Sequence, residues 1–347
     1  MHKKIIITGG AGFIGVNLVN AALAQGYKVL VIDKLTYAGF KGSLDLKNKN
    51  LFFKKFDICN KALMKKAIID FKPNYFYNLA AESHVDRSID SPEAFVKTNI
   101  IGTFNIIECI REASRKSSFK NNFIKFIHVS TDEVYGSTSL KKPFTINTPY
   151  DPSSPYSSSK AASDLIVKAW CRTYDLPFLV TNCSNNFGAF QFPEKLIPHI
   201  IILALKGKNL PIYGDGLQRR DWIHVNNHVE GILKAGIHGL IGSTYLFGTG
   251  KATTNLQLVK MICNQINKKT NKKNTESLIK HVADRPAHDR VYLIDPSKSI
   301  KELGWHPDTR LKENISLTID WYLENPEWIS KVSQTSNYNL SRMGKKK

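Results

Sequence analysis

Lys4-Ile5-Ile6-Ile7-Thr8-Gly9-Gly10-Ala11-Gly12-Phe13-Ile14-Gly15 is the stretch on which the fold turns. A short apolar run rich in β-branched residues breaks into glycines, and Leu18, Val19 and Leu23 then recur at helical spacing. The glycines therefore occupy a strand-to-helix turn. Without side chains there, the backbone can approach a pyrophosphate, and the free N–H groups at the positive end of the helix stabilise its charge.

The second apolar run, Lys28 to Ile32, ends in Asp33 at about the twenty-residue spacing at which a carboxylate meets adenosine ribose hydroxyls. That carboxylate would repel a 2′-phosphate, so the cofactor expected is NAD rather than NADP. Asp57-Ile58 ends the third run and would border the adenine, although a carboxylate closing a strand can equally be an ordinary cap.

Further runs at Leu51-Phe56, Tyr75-Leu79, Ile124-Ser130 and Phe178-Cys183 alternate with helical stretches, the pattern of parallel strands joined by crossover helices. The fold class expected is α/β: a Rossmann-type doubly wound parallel sheet with a smaller C-terminal α/β substrate-binding domain. Residues 1–186 would form the NAD-binding domain, with return segments within 222–250. Residues 187–330, looser and punctuated by Pro193, Pro198, Pro211, Gly214 and Gly216, would hold mainly the sugar nucleotide, and 331–347 would be a flexible tail.

Composition narrows the class. A chain of 347 residues, 42% hydrophobic, can bury one large core or two joined ones. Lys+Arg exceed Asp+Glu by 49 − 29 = 20, but the lysines fall in small groups without a dominant stripe or aromatic interleaving, so solvated faces rather than a nucleic-acid surface are expected. The opening Met1-His2-Lys3-Lys4 imitates a secretory leader, but the apolar run is too short and glycines interrupt it. The longest later apolar stretch, Ile200 to Leu205, is far below the roughly 20 residues a membrane span requires. Cys59, Cys109, Cys171, Cys183 and Cys263 are scattered without paired spacing, which points to no metal site and to a reducing cytoplasm.

Two constellations carry the chemistry. Ser130-Thr131-Asp132-Glu133-Val134-Tyr135-Gly136 follows the strand ending near Val129, at the sheet end where open α/β folds hold ligands. Tyr156 and Lys160 sit at i and i+4 on a helix, hence on one face. A lysine beside the phenol, with a positive nicotinamide ring, would lower its pKa and make it a usable base.

These residues, with Asn78-Leu79-Ala80-Ala81, resemble the extended short-chain dehydrogenase/reductase family. Within it, Glu82 to Ser88, Ser130 to Gly136, Cys183 to Asn186, Gln191 to Pro198, Tyr213 to Gly216, Arg220-Asp221-Trp222, Asp284 to Pro286 and His288 to Arg290 resemble the dTDP-glucose 4,6-dehydratases across residues 4–325. The resemblance implies C4 oxidation of an NDP-glucose, elimination of water across C5 and C6, and return of the hydride to C6, in deoxysugar synthesis such as that of rhamnose for lipopolysaccharide. It makes Thr131, Asp132, Glu133, Tyr156 and Lys160 catalytic. Its cofactor set is Gly9, Gly12, Phe13, Ile14, Gly15, Asp33, Lys34, Leu35, Thr36, Asp57, Ile58, Leu79, Ala80, Ala81, Ser83, Thr98, Tyr156, Lys160 and Asn186. Its substrate set is His84, Thr131, Asp132, Asn185, Lys195, Leu196, Pro211, Tyr213, Arg220, Asn255, His288 and Arg290. Arginine suits this pocket because its planar donors engage phosphate in pairs.

The chain departs from the family pattern at Val16, Phe187, Ala189, Ala287 and Val291, where Ser, Tyr, Pro, Gly and Arg are usual. The last loses a charge near the expected nucleotide, so UDP- or CDP-glucose stay open as substrates. A sugar-nucleotide epimerase would share the NAD turn and Tyr156/Lys160 without needing Asp132-Glu133, and a GDP-mannose dehydratase would keep only the glutamate. The non-enzyme alternative is an NAD-binding regulatory or nucleic-acid-associated protein. Apolar faces on the helices around 92–114 and 157–174 exceed what one sheet contact requires, and the family pairs such helices, so a homodimer is expected.

Overall fold

The computed structural model describes residues 3–119, 124–284, 286 and 288–335. In chain order the first half runs β1 (Lys4–Thr8), α1 (Phe13–Ala24), β2 (Lys28–Asp33), β3 (Leu51–Lys55), α2 (Lys61–Phe71), β4 (Tyr75–Asn78), α3 (Val85–Asp90) and α4 (Glu93–Phe95). A π-helical turn, Val96–Gly102, leads into α5 (Thr103–Ser114), followed by β5 (Lys125–Thr131), a 3₁₀ turn at Asp132–Tyr135, α6 (Pro155–Thr173) and β6 (Phe178–Cys183). The second half holds β7 (Asn185–Phe187), α7 (Leu196–Leu205), β8 (Leu210–Tyr213), β9 (Arg219–His224), α8 (Val225–His238), β10 (Thr244–Phe247), β11 (Ala252–Thr254), α9 (Asn255–Lys269), β12 (Ile279–Val282), α10 (Ser297–Leu303), α11 (Leu311–Glu324) and α12 (Pro326–Thr335).

The main sheet has seven strands in the order β10-β6-β5-β4-β1-β2-β3, every pairing parallel. The order reverses between β1 and β4, the switch point at which a doubly wound sheet opens a crevice beyond its strand ends. Strands buried on both faces need continuous apolar runs, and Ile5, Ile6 and Ile7, like Val29 to Ile32, are buried throughout. One face packs α1 and α8 around Val16, Leu18, Val229, Ile232 and Trp305. The other packs α2, α5 and α6 around Ile68, Ile106, Ile110 and Val167.

Six of the sheet strands coincide with the runs read from sequence, to within a residue at each end. The seventh, β10, comes from the far half of the chain and pairs Thr244 to Phe247 with Val180 to Cys183. The segment lying on the sheet extends past residue 250: Ser299 Oγ donates to the Leu246 carbonyl, and Trp305 is fully buried in the sheet's own core. A third apolar core joins α7, α9 and α11 around Phe187, Ile200, Trp222, Ile262 and Tyr322.

Residues 331–335, expected in a flexible tail, complete α12 instead. The apolar side of that helix buries Val332 and packs Trp328 with Tyr37, Phe40 and Phe192, while Trp328 Nε1 donates to Ser43 Oγ at 2.8 Å. Residues 336–347 of the expected tail lie outside the described residues.

Of the departures from the family pattern, Val16 is a core residue under β1 and β2, and Phe187 packs against Trp222 and His224 inside the third core. Ala189 presents its carbonyl to Asn17. Val291 donates its N–H to Ser137 Oγ and its carbonyl accepts from Thr138, away from both cavities described below. Ala287 lies outside the described residues.

Candidate active site

The glycine turn is built so closely that its sequence has little latitude. Gly9 has φ of +70°, and a Cβ on it would stand 2.7 Å from the Ala80 nitrogen; a Cβ on Gly15 would stand 2.1 Å from the Gly9 carbonyl oxygen. Helix α1 follows Gly12 as its N-cap, with no side-chain cap on its first N–H groups at the crevice. Asp33 braces the turn: Oδ2 accepts from Ala11 N at 3.0 Å and Oδ1 from Leu35 N at 2.8 Å. Burial pushes its carboxyl up, against those two hydrogen bonds.

From this turn a cavity runs along the strand ends to the carboxyl end of β5. Its walls include Gly9, Gly12, Phe13, Ile14, Gly15, Asp33, Lys34, Thr36, Ile58, Leu79, Ala80, Ala81, Ser83, Thr98, Asn185, Asn186 and Lys195, together with Thr131, Asp132, Glu133, Tyr156 and Lys160. Thr98 reaches it from the π-turn, a wider helical turn of the kind that gathers at functional sites. A dinucleotide fits this lining: a glycine cradle that a Cβ would fill at one end, a strand-end carboxylate beside it, and a Tyr/Lys pair at the other.

A second cavity shares Ser83, Glu133, Asn185, Asn186, Gln191, Glu194 and Lys195 with the first and continues past His84, Leu196, Pro211, Tyr213, Arg220, Asn255 and His288. Arg220, only 4% exposed, stacks over Tyr292 at 4.1 Å and donates to the carbonyls of Arg219 and Asp289. Buried polar atoms without a hydrogen-bond partner in the structure, Asn185 Oδ1 and Asn255 Oδ1, belong to residues lining this cavity.

Three expected site residues lie off these walls. Leu35 turns its side chain into the core beneath α1, with φ of 58°. Asp57 accepts from Cys59 N at 2.9 Å and faces the Lys34 ammonium at 3.7 Å, the strand-end cap that spacing alone left open. Arg290 is tied to exposed Asp215 by bonds of 3.0 and 2.8 Å. In the other direction, Tyr37, Glu82, Gln191 and Glu194 line the first cavity and Asp86, His199, Trp222 and Tyr292 the second, none of them expected. Glu194 joins Arg87 at 3.4 Å and His84 at 3.7 Å, and Arg87 in turn stacks on Tyr37 at 3.7 Å. Position in sequence was the available signal, since Tyr37 follows the expected run 33–36 and Glu194 precedes Lys195.

Around the reacting centre the two acids differ. Asp132 is 2% exposed, its Oδ1 accepts from Thr131 Oγ1 at 3.3 Å, and Oδ2 has no partner. Burial first, then Glu133 and Asp221, push its carboxyl well above the usual range. Glu133 is half-buried and opens onto both cavities.

Helix α6 begins with Pro155 behind a Ser154/Ser157 capping box, which sets Tyr156 and Lys160 toward the crevice in its first turns. The phenol of Tyr156 hydrogen-bonds with Thr131, but burial and the neighbouring Glu133 drive its pKa well up. The depression expected from Lys160 is not what the structure holds: that ammonium donates to the Val129 carbonyl at 2.9 Å. In the protein alone the phenol keeps its proton.

The chain matches the model of the GDP-mannose 4,6 dehydratase family over residues 6–318. It is 46% identical over 345 residues to a dTDP-glucose 4,6-dehydratase of Xanthomonas campestris pv. campestris (strain B100), covering 98% of each chain. The dTDP-glucose 4,6-dehydratase of Bacillus anthracis, solved in complex with NAD, superimposes with a TM-score of 0.85 at 39% identity, covering 95% of this chain and 99% of that one. DesIV of Streptomyces venezuelae, a dTDP-glucose 4,6-dehydratase solved with NAD bound, gives a TM-score of 0.87 at 37% identity, covering 95% and 99%. The glycine cradle, the Tyr156/Lys160 pair and the acid pair thus lie on a fold and sequence shared along nearly the whole chain, and the chain belongs to this family of sugar-nucleotide 4,6-dehydratases.

Proposed function

We propose that this protein converts dTDP-glucose to dTDP-4-keto-6-deoxyglucose, with NAD as a catalytic cofactor that ends the cycle as it began. The observation that carries the reading is the meeting of Thr131, Asp132, Glu133, Tyr156 and Lys160 in one cavity continuous with the glycine turn. The relatives named above supply the base of the substrate.

Gly9, Gly12 and Gly15 cradle the pyrophosphate, Asp33 accepts from the ribose, and Lys160 holds the other ribose. Bound NAD supplies the acceptor, and later the donor, of one hydride. Thr131 orients the sugar 4-hydroxyl and Tyr156 takes its proton. Because burial and the acids favour the neutral phenol, the positive ring of the cofactor is the charge that frees it for this step. A ketone at C4 acidifies C5–H; Glu133 removes that proton while Asp132 gives its own to the departing 6-hydroxyl, which leaves as water. Glu133 then returns a proton to C5 as C6 takes back the hydride, so the net change is loss of one water. The division of labour follows from environment: Asp132, buried, keeps a proton to give, and Glu133 faces the open space where C5 must lie.

Asn185, Lys195, Leu196, Pro211, Tyr213, Arg220, Asn255 and His288 hold the nucleoside diphosphate, and His84 borders the glucosyl ring. Five free thiols, none paired among the described residues, suit a reducing cytoplasm. Two copies pair through the exposed apolar side chains of Ile101, Phe104 and Leu165 on the π-turn, α5 and α6. No helix among the described residues is long and apolar enough to cross a membrane.

Incubation with dTDP-, UDP- and CDP-glucose in turn, followed by mass spectrometry, tests the reading. Loss of one water from the dTDP sugar is expected, preferential loss from another base would reassign the substrate, and no loss from any would end the dehydratase reading.

A further inference from the structure

We infer that Asp164 is a positioning residue for the redox site: its hydrogen bonds set the residues that aim Thr131, and its carboxylate is the counter-charge placed one helical turn from Lys160. This rests on the dehydratase reading above and assigns a role to a residue outside the expected site.

Asp164 lies one helical turn beyond Lys160 on α6 and is fully buried. Oδ2 accepts from Ser130 Oγ at 2.8 Å, Tyr150 OH at 2.9 Å and Asn182 Nδ2 at 3.3 Å. Oδ1 lies 3.2 Å from His128 Nε2. Ser130 directly precedes Thr131, and Asn182 Nδ2 also donates to the Thr131 carbonyl at 3.0 Å. One carboxylate thus meets β5, β6, α6 and the loop before α6, and fixes the catalytic threonine from the side chain before it and through its own carbonyl.

The same carboxylate is part of a longer buried chain of contacts. Thr8 Oγ1 donates to Asn78 Oδ1 at 2.7 Å, and Asn78 Nδ2 lies 3.2 Å from His128 Nδ1. With Nδ1 accepting, the proton of neutral His128 sits on Nε2, which hydrogen-bonds with Ser163 Oγ at 3.1 Å and lies 3.2 Å from Asp164 Oδ1. The chain therefore begins at Thr8, where β1 enters the glycine turn, and ends beside the acid-bearing turn.

A carboxylate with no exposure would ordinarily be pushed toward its neutral form. Here His128 and Lys160, with Ser130, hold it ionised in spite of burial. Its charge acts back on Lys160, opposing the desolvation that lowers the ammonium's pKa. The ionisable groups around Lys160 are Tyr156 and Asp164 on its own helix, His128 on β5, Cys183 on β6, and Asp132 and Glu133 on the turn after β5. His128 is neutral, with its pKa driven down to about 4 by burial, and burial drives the Cys183 thiol well up. Tyr156 keeps its proton in the protein alone, and Asp132 is held neutral. Glu133 lies at the cavity end of the site, so Asp164 is the negative charge set one turn from the ammonium.

Asp164→Asn keeps the shape and removes the charge. Its kcat should fall about tenfold or more with KM for the sugar nucleotide within about twofold, since no residue that holds the nucleoside diphosphate is replaced. The alkaline limb of its kcat profile should move down by about one pH unit, because an ammonium without its counter-charge loses its proton sooner. Asp132 also acts on this limb, but the charges that act on it are Glu133, Asp221 and Arg220, so the displacement reads Lys160. Tyr150→Phe, which removes two hydrogen bonds, one to Asp164 and one from Lys168, and no charge, should leave the limb in place. Asp164→Glu should restore it. If Asp164→Asn does not fold, the smaller neutral Asp164→Ser takes its place with the same expectation. A folded neutral variant with the parent's limb overturns the proposal, as does an equal displacement in Tyr150→Phe. A parent chain that removes no water from any NDP-glucose defeats the dehydratase reading itself, a different outcome.

Discussion

Asp132 and Glu133 are adjacent in the chain but not in surroundings: the first is almost wholly buried in the wall of one cavity with one carboxyl oxygen unpaired, and the second stands at the junction of the two cavities. Two like charges so close resist ionising together, and burial decides which stays neutral. In the proposed reaction this split casts Asp132 as the acid and Glu133 as the base.

This arrangement has a stability cost. Asp132's folded pKa lies above its unfolded value, so its contribution is fully present below the unfolded pKa and lost as pH rises through the folded one. A permanently neutral isostere has no proton to lose. Asp132→Asn should therefore melt higher than the parent at neutral pH, by about 2 °C or more, and by a wider margin at alkaline pH, while losing elimination. A calorimetric scan at several pH values checks this, and a lower melting temperature at every pH would count against a protonated Asp132.

Gly15→Ala should be purified with little or no bound NAD. The new Cβ would meet the Gly9 carbonyl oxygen at 2.1 Å, which only a shift of the cradle could relieve. Releasing the cofactor by denaturation and measuring its absorbance per chain gives the answer; full occupancy would mean that the turn yields more easily than its packing implies.

His228 is buried on α8 with Nδ1 2.8 Å from Asn186 Oδ1, and burial drives its pKa down to about 3. Below its ordinary pKa the unfolded chain takes up a proton that the folded chain refuses, so stability is fully present above about pH 6.5 and falls as pH drops toward the folded value. The slope is about 1.4 kcal/mol per pH unit for this one group. Asp221, raised to about 6, opposes it below that pH by binding its proton in the folded state. His228→Gln should flatten the loss of stability between about pH 6.5 and 4, as read from urea titrations at each pH. An unchanged slope would mean that His228 is not the neutral group described.

Leu165 is 57% exposed and Ile101 51%, on helices that pack side by side with α5 and α6 in contact. A charge placed in a shared apolar face is costly to bury. Leu165→Glu with Ile101→Glu should convert a dimer into a folded monomer by light scattering after gel filtration. A parent that is monomeric at micromolar concentration would remove the pairing proposal.

Local chemistry made much of this legible. The turn from Thr8 to Gly15 and the carboxylate of Asp33 can be read because each residue's role is set by its immediate neighbours. Strand runs from β1 to β6 carry their own apolar signature. What escaped depends on distance along the chain. Strand β10 has four residues and acquires its place by pairing with β6, some sixty residues earlier. Arg290 reads as a phosphate ligand by type, and the structure pairs it with Asp215, a partner that spacing does not announce. Lys160 sits one turn from Tyr156 as the sequence requires, but its rotamer reaches Val129, a choice made by tertiary packing. Asp164 was hidden for the same reason: a lone acid within a helix shows nothing until four elements close around it.

In the proposed reaction Asp132 and Glu133 perform the elimination while the cofactor and Tyr156 perform the oxidation. The double variant Asp132→Asn with Glu133→Gln, mixed with dTDP-glucose, separates the two. Full NAD content, the appearance of reduced-nicotinamide absorbance and no loss of water from the sugar are expected. Water loss at the parent's rate would contradict that division of roles.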